Sequence, residues 1–558
     1  MSNPTVAEYI VRRLSDLGID KAFGVPSDYA FPIADAIEAS PNMDWVGCTN
    51  ELNAAYAVDG YARLKGAGLL CAAYGVGELS LVNGLMASKA HRVPVFFVTG
   101  QPSRRITKQR LISKHTLGDG VYGNFERIIE AACCAKAVIS PDNAIDEMER
   151  VIREALSQSQ PAYMVVLHDA QDVPVIGTPV TGEPLDKVKR QVSVTAELEG
   201  ALTAIVNQLK NAHNPVVLPT ALTARYGLRD KIEQFIETAN IPFALSPMDK
   251  GFLDEQSPLY LGLYCGEQST PKAVTHAVEG ADVILDLGGV VMEAENTGYW
   301  TDALPEEQVV HICDNWVRVG TKVFVNLSLE DVIDGLIART PKFAGRHDPF
   351  TYDLMPLAGD DTDPISSAAF YPRVQRMLQN DDVLVIEAGS GQFVEAAFRL
   401  PGQVRSEAMC LWSSIGWGTP AALGMAMAEP ERRVILITGD GAHQMTINAL
   451  ADMGHHDAKP VIFVLNNGVY GCEITLHKEG MSYNNLPELD YSKIPEAFGC
   501  GGWLTKRVAT VKDLDEALDE LKAHNNGAYI EVMIPESESE PLPANVLDAM
   551  YKLKTPTP

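Results

Sequence analysis

Positive charge is scarce in this sequence. Lys and Arg number 45 against 73 Asp and Glu in 558 residues, a formal net charge of −28 with a pI near 4.8. Nucleic acid and anionic membrane surfaces both call for basic surface, so neither is expected as a partner. No apolar run approaches the ~20 residues of a membrane span. The N-terminal MSNPTVAEYI has neither a basic start nor an apolar signal core, so the expected location is cytoplasmic. Nine cysteines show no CxxC spacing, and Cys133 and Cys134 are adjacent, which argues against a disulfide framework or a zinc site and for reduced, buried thiols. A dinucleotide fingerprint is also missing: Gly75 and Gly77 are followed by Ser80 where a third glycine is required, and no acidic ribose partner is evident.

What is present reads as a soluble α/β protein. The apolar fraction is 46%, and about 150 residues per domain predicts three or four domains. The Pro-rich stretch Val173–Pro184 and the proline-punctuated, acidic stretch Pro341–Ser366 read as linkers. Thr5 and Glu8 form a capping box ahead of apolar residues at helical spacing. The segment Gly439–Glu473 carries the most chemistry. The apolar run Val434–Ile437 reads as a buried strand and ends in Gly439-Asp440-Gly441, a tight turn that lets backbone approach a ligand. A second apolar run, Val461–Leu465, ends in Asn466 and Asn467 after the length of one helical crossover. One carboxylate with amide and carbonyl oxygens is a hard-oxygen set suited to magnesium on a diphosphate, because this cation fills much of its shell with phosphate and water. Asp28, in a turn after a strand, and Glu51, at a helix start, are by themselves ordinary capping residues. His455, His456 and Asp457 are consecutive and cannot face one metal from a helix; they read as surface residues.

Gly-Asp-Gly followed at this spacing by Asn-Asn, with NELNAAYAVDGYAR at 50–63 and WSSIGWGTP at 412–420, resembles the thiamine diphosphate-dependent 2-oxo-acid decarboxylases, the pyruvate and indolepyruvate decarboxylases being nearest. The resemblance covers essentially the whole chain. It implies three doubly wound, mainly parallel-sheet α/β domains: pyrimidine-binding at 1–180, middle at 190–342 and diphosphate-binding at 365–558. It implies thiamine diphosphate and Mg2+ as cofactors, a small 2-oxo acid as substrate, and a homodimer as the minimal active unit, commonly paired into a homotetramer. Asp440, Asn467 and the carbonyl of Val469 would hold the metal. Glu51, Gly389, Ser413, Ile415, Gly439, Gly441 and Tyr470 would join them around the cofactor. In the family the Glu51 position hydrogen-bonds the aminopyrimidine and promotes the tautomer that removes the thiazolium proton, a role that burial would favour by raising its pKa. Ile415 corresponds to the apolar wedge that bends the cofactor, and Tyr470 is expected to pack beside Glu473.

Asp28, Glu51, His115 and Glu473 correspond to the catalytic residues, and Lys114, Gln392, Cys472 and Leu476 to the substrate pocket. The main departure is Lys114, which stands where the family has the first of two consecutive histidines. Lys114 is expected to pair with the substrate carboxylate or a polar tail. With Gln392 and the small Cys472, it implies a roomier, more polar pocket and a 2-oxo acid larger than pyruvate. The reaction implied is non-oxidative decarboxylation to an aldehyde and carbon dioxide. Carboligation, or cofactor binding without turnover, remains as the alternative.

Overall fold

The computed structural model describes residues 3–188, 190–266, 269, 272–289, 304–345, 354–389, 391–395, 399–477 and 480–535. Three sheets follow one another along the chain. The first contains β1 (Lys21–Gly24), β2 (Asp44–Gly47), β3 (Gly68–Ala73), β4 (Val95–Gln101), β5 (Ala135–Ile139) and β6 (Ala162–Leu167), in the order β2-β1-β3-β4-β6-β5. The second contains β7 (Pro215–Pro219), β8 (Phe243–Leu245), β9 (Tyr260–Leu263), β10 (Val283–Leu287), β11 (Val309–Cys313), β12 (Asn315–Val319) and β13 (Lys322–Leu327), in the order β13-β12-β11-β10-β7-β8-β9. The third contains β14 (Val383–Ile386), β15 (Arg405–Ala408), β16 (Val434–Gly439), β17 (Val461–Asn466), β18 (Leu504–Val508) and β19 (Ala528–Met533), in the order β15-β14-β16-β17-β19-β18. Strand pairing is parallel throughout, except where β12 and β13 add an antiparallel edge to the second sheet.

The buried apolar runs form the central strands, as continuous burial on both faces of a parallel sheet requires. The strands that carry no apolar run, such as Asp44–Gly47 and Arg405–Ala408, are short and lie at sheet edges, where polar residues protect unpaired backbone. The expected capping box is present: Thr5 N donates to Glu8 Oε2 at 2.7 Å and Glu8 N to Thr5 Oγ1 at 3.2 Å. Two expectations are corrected. The crossover between β16 and β17 is two short helices, Asp440–Thr446 and Ala449–His455. His456 is half-buried, its Nε2 lying 2.9 Å from the carbonyl oxygen of Gly47, because the end of that helix docks on the first sheet's edge.

Each sheet reverses its winding direction near its middle, and such a reversal opens a crevice beyond the C-terminal strand ends. In the first sheet the crevice lies between β1 and β3, in the third between β14 and β16. The equivalent crevice between β7 and β10 is filled: a β-carbon on Gly288 would stand 2.4 Å from the methyls of both Thr220 and Thr223.

The first and third sheets share a seam formed by two helices, Glu51–Lys65 and Gly418–Ala428. A β-carbon on Gly60 would lie 2.4 Å from the carbonyl oxygen of Ala421, and one on Gly424 1.8 Å from that of Ala57, so backbone meets backbone. Beside it lies a buried ionic knot. Asp59 accepts from Arg63 Nε at 2.7 Å and from Trp417 Nε1 at 2.9 Å. Glu407 accepts from Arg63 Nη1 at 3.0 Å and from Arg225 Nη2 at 2.7 Å, which ties residues from all three sheets together. Burial alone would raise the Glu407 carboxyl, but Arg225 and Arg63 outweigh it and hold it at about 2, below the ordinary 4.5. Its stabilisation is therefore complete above pH 4.5 and is lost as pH falls toward 2. Glu407→Gln leaves two buried guanidiniums underneutralised and is expected to cost about 3 kcal/mol or more. A lowered denaturation midpoint at neutral pH, with the variant's deficit shrinking below pH 4, is the expected result.

Candidate active site

Two groups of functional side chains form, one at each open crevice. At the first, Asp28 follows β1 and the turn Tyr74–Gly77 follows β3. Tyr74 accepts at its carbonyl from His115 Nδ1 at 3.3 Å, and a β-carbon on Gly75 would meet the His115 carbonyl oxygen at 2.4 Å. The loop bearing His115 is thus seated directly on the turn, with His115 itself in the left-handed region at φ 60°. A carbonyl facing Nδ1 assigns the proton to that nitrogen and leaves Nε2 to exchange protons.

Lys114 bonds Asp28, with Nζ 2.7 Å from Oδ2, and lies 5.6 Å from the centre of the Tyr29 ring. The Lys114 hydrogen bond holds the Asp28 carboxyl below its ordinary range, so Asp28 carries charge at neutral pH. The lysine expected to meet the substrate is therefore paired within the chain, because Asp28 is the nearer anion. Tyr29 OH in turn bonds Ser113 Oγ at 2.6 Å, and its ring meets that of His115 edge-on at 6.1 Å.

Glu51 opens its helix beside the same turn: a β-carbon on Gly77 would stand 3.2 Å from Glu51 Oε1. Asn50 caps the helix by accepting from Asn53 N. Glu51 is half-buried in the single chain, short of the full burial expected for it. The residue that fixes the turn escaped sequence reasoning. Glu78, fully buried, accepts from Gly75 N at 2.7 Å and from the Tyr163 hydroxyl, and burial pushes its carboxyl up to about 7. Its one sequence signal is an acidic residue at the third position of a glycine-capped helix.

At the second crevice, Asp440 starts the helix after β16 and is 3% exposed. Its Oδ1 accepts from Gly441 N at 2.8 Å and its Oδ2 from Gly468 N at 2.7 Å, which draws the Asn466–Tyr470 loop against the Gly-Asp-Gly turn. Asn467 Oδ1 accepts from Val469 N at 3.1 Å, and Asn466 Nδ2 donates to the buried Glu531 at 2.8 Å, so the two adjacent asparagines divide between loop and core. Tyr470 packs on the turn rather than only beside Glu473: a β-carbon on Gly441 would lie 2.5 Å from its ring. Gly439 precedes Asp440 in extended backbone as the helix cap.

Burial raises the Asp440 carboxyl to about 6, its backbone donors offsetting only part of the cost, and among the described residues no Lys, Arg or His pairs with it. A buried carboxylate without a counter-ion, beside an amide oxygen and a loop carbonyl, fits a divalent cation. No cluster of three His, Cys, Asp or Glu side chains occurs among the described residues, so a cation here would complete its shell with phosphate and water.

Across the crevice from Asp440, Gly389 follows β14, and a β-carbon there would lie 3.9 Å from Cys472 Sγ. Gln392 N donates to the Gly389 carbonyl at 3.2 Å, placing Gln392 in the first turn of the helix Gly391–Glu395. Glu473 is exposed on the short helix Gly471–Leu476; the Leu476 side chain lies outside the described residues.

The loop carrying Ser413 and half-buried Ile415 is pinned from two domains. Ser413 N donates to the Met409 carbonyl, Ser414 Oγ bonds Tyr56 OH at 2.5 Å, and Trp412 Nε1 donates to Asn83 at 2.8 Å. Thr446 Oγ1 holds the Gly416 carbonyl at 2.6 Å, and buried Glu387 accepts from Gly418 N at 2.9 Å. Among the described residues no hydrogen bond or ion pair joins the Glu51 and His115 group to the Asp440 and Glu473 group.

Three family models match the chain: the thiamine pyrophosphate enzyme N-terminal TPP-binding domain at residues 4–121, the central domain at 202–334 and the C-terminal TPP-binding domain at 389–532. The sequence is 33% identical over 539 residues to the alpha-keto-acid decarboxylase of Mycolicibacterium paratuberculosis, covering 96% of this chain and 94% of the relative. It is 32% identical over 547 residues to the pyruvate decarboxylase of Kluyveromyces marxianus, covering 96% of each. Among solved structures, the fold matches the thiamine diphosphate-dependent 4-hydroxybenzoylformate decarboxylase of Rhodococcus jostii with a TM-score of 0.76 at 19% identity, over 95% of this chain and 99% of that one. A thiamin diphosphate-dependent enzyme from Mycobacterium smegmatis matches with a TM-score of 0.73 at 21% identity, over the same shares. With three matching domains and this identity along nearly its whole length, the chain belongs to the thiamine diphosphate-dependent 2-oxo-acid decarboxylases.

Proposed function

We propose that this decarboxylase acts on a 2-oxo acid larger than pyruvate, with Mg2+ on Asp440, Asn467 and the Val469 carbonyl, as a homodimer that completes two sites and pairs into a homotetramer. The domains on this reading are 1–180, 190–342 and 365–558. The observation that carries the metal assignment is the buried, uncompensated carboxylate of Asp440. When bound, thiamine diphosphate supplies the nucleophilic carbon and the electron sink for the departing carboxylate. The protein's own contribution is positioning and proton traffic. Glu51, at the positive end of its helix, holds the proton exchanged with the aminopyrimidine. His115 offers Nε2 as an acid or base. Asp28, kept ionised by Lys114, orients its neighbours and disfavours a second anion nearby. Glu473, one residue after Cys472, would accept or return a proton at its carboxylate.

The dimer is supported by the separation of the half-sites and by apolar side chains next to each. Val76, Leu79, Ile112 and Leu117 are exposed near the first, and Met445, Met481 and Tyr483 near the second. Such patches mark surfaces for a partner. The larger substrate is supported by Cys472, smaller than a branched apolar residue, and by Gln392, which makes the wall polar.

Glu51→Gln is expected to keep cofactor affinity within a few-fold and to slow hydrogen–deuterium exchange at the thiazolium carbon by two orders of magnitude or more, as loss of a positioned acid–base group does; unchanged exchange removes Glu51 from this role. Mg2+ must displace the Asp440 proton, which is held until about pH 6. Cation affinity should therefore fall roughly tenfold per pH unit below that value, with proton release visible in calorimetry. Asp440→Asn should weaken binding and abolish the pH dependence. In a substrate panel, kcat/KM for the larger 2-oxo acid should exceed that for pyruvate by roughly tenfold or more. Lys114→His should release Asp28 and shift the acidic limb of the pH–rate profile upward; an unchanged profile and unchanged rates mean the ion pair is not used.

A further inference from the structure

Gln392 carries a feature that a decarboxylase of simple hydrocarbon substrates does not need. The residue is 8% exposed, and among the described residues its Nε2 has no hydrogen-bond partner. A buried amide N–H left unpaired is costly, so such a group persists where a ligand or a trapped water satisfies it. Its position is specific. Gln392 N is bonded to the carbonyl of Gly389, and Gly389 faces Cys472, the neighbour of Glu473. The residue that bears the orphaned donor thus lies one helical turn from Gly389, which faces Cys472. The amide of Asn83, by contrast, is used on both sides: its Nδ2 donates to Tyr56 OH at 2.8 Å and its Oδ1 accepts from Trp412 Nε1. Lys114, the cation beside Asp28, is spent on it at 2.7 Å. A second carboxylate on the substrate finds no free charge on Lys114, whereas an uncharged oxygen finds an N–H on Gln392.

We propose that Gln392 is a specificity-determining residue that donates a hydrogen bond to an uncharged acceptor oxygen, a ketone, amide or ether, in the side chain of the 2-oxo acid. This rests on the decarboxylase reading of the site and narrows its substrate class. A water molecule fills the same role when the tail is purely hydrocarbon, and its retention opposes close packing of that tail.

The test uses the holoenzyme and two 2-oxo acids of equal length, one ending in an acetyl group and the other in the isosteric isopropyl group. The acetyl-ended acid is expected to be preferred by roughly tenfold or more in kcat/KM. Gln392→Leu, which keeps the volume and removes the donor, should bring the ratio to unity or reverse it. Gln392→Glu, which keeps shape but offers only acceptors, should disfavour the acetyl-ended acid further. Equal use of both acids by the wild-type enzyme, or a preference that survives Gln392→Leu, overturns the inference while leaving the decarboxylase reading intact. If neither acid is turned over, calorimetric binding of the same pair decides. Tighter binding of the acetyl-ended acid upholds the role of Gln392 and removes the proposed reaction; equal binding overturns it.

Discussion

A single buried carboxylate holds this molecule in register. Glu407 stands on an edge strand of the third sheet and is answered by Arg63 from the first and Arg225 from the second. Burying one anion with two cations is costly unless it is well hydrogen-bonded, and here Glu407 accepts once from Arg63 and twice from Arg225. Arg63 also binds Asp59 and lies 4.6 Å from the centre of the Trp417 ring, so the same guanidinium bears on the loop that presents Ile415. The placement of the wedge residue is thereby coupled to how all three sheets meet. The middle sheet, whose own crevice is filled by threonine methyls, contributes through this contact rather than through a ligand site.

The two open crevices divide the chemistry by sign. Asp440 faces its crevice as an uncompensated anion and calls for a cation. Asp28 has its cation already, in Lys114. Buried charge without a partner is a request for a ligand, whereas buried or half-buried charge with one is a fixed part of the wall. Sequence alone could not separate these cases, because both are aspartates in turns after strands. The difference lies in residues distant in the chain: position 114 for one, and backbone amides at 441 and 468 for the other.

What sequence made legible follows from range. Central strands such as Val434–Gly439 and the capping box at Thr5 are encoded by neighbours in the chain and were found with small boundary errors. Edge strands such as Arg405–Ala408 escaped because their residues are chosen to stay polar. Glu78, Glu387 and Glu407 were also invisible as organisers: a glutamate's partners across 85 or 182 positions leave no local pattern. The residues expected around a cofactor came from family resemblance, and the structure adds that Gly389 and Asp440 follow the two strands that flank one crevice. Lys114 shows the limit most plainly, since its replacement of a histidine was evident but its partner was not.

The seam between the helices Glu51–Lys65 and Gly418–Ala428 has a consequence for how such chains recombine. Where Gly60 and Gly424 meet carbonyl oxygens, there is no side chain to adjust, and a mismatch of even one methyl group has nowhere to go. The middle sheet is attached largely through side chains such as Arg225 to Glu407 and Gln256 to the Leu400 carbonyl, which can be exchanged in matched pairs, and meets backbone at Gly251, where a β-carbon would stand 2.7 Å from Ser406 N. A chimera that imports a foreign middle segment can be repaired side chain by side chain. One that imports either outer segment has to bring both helices of the seam from the same parent.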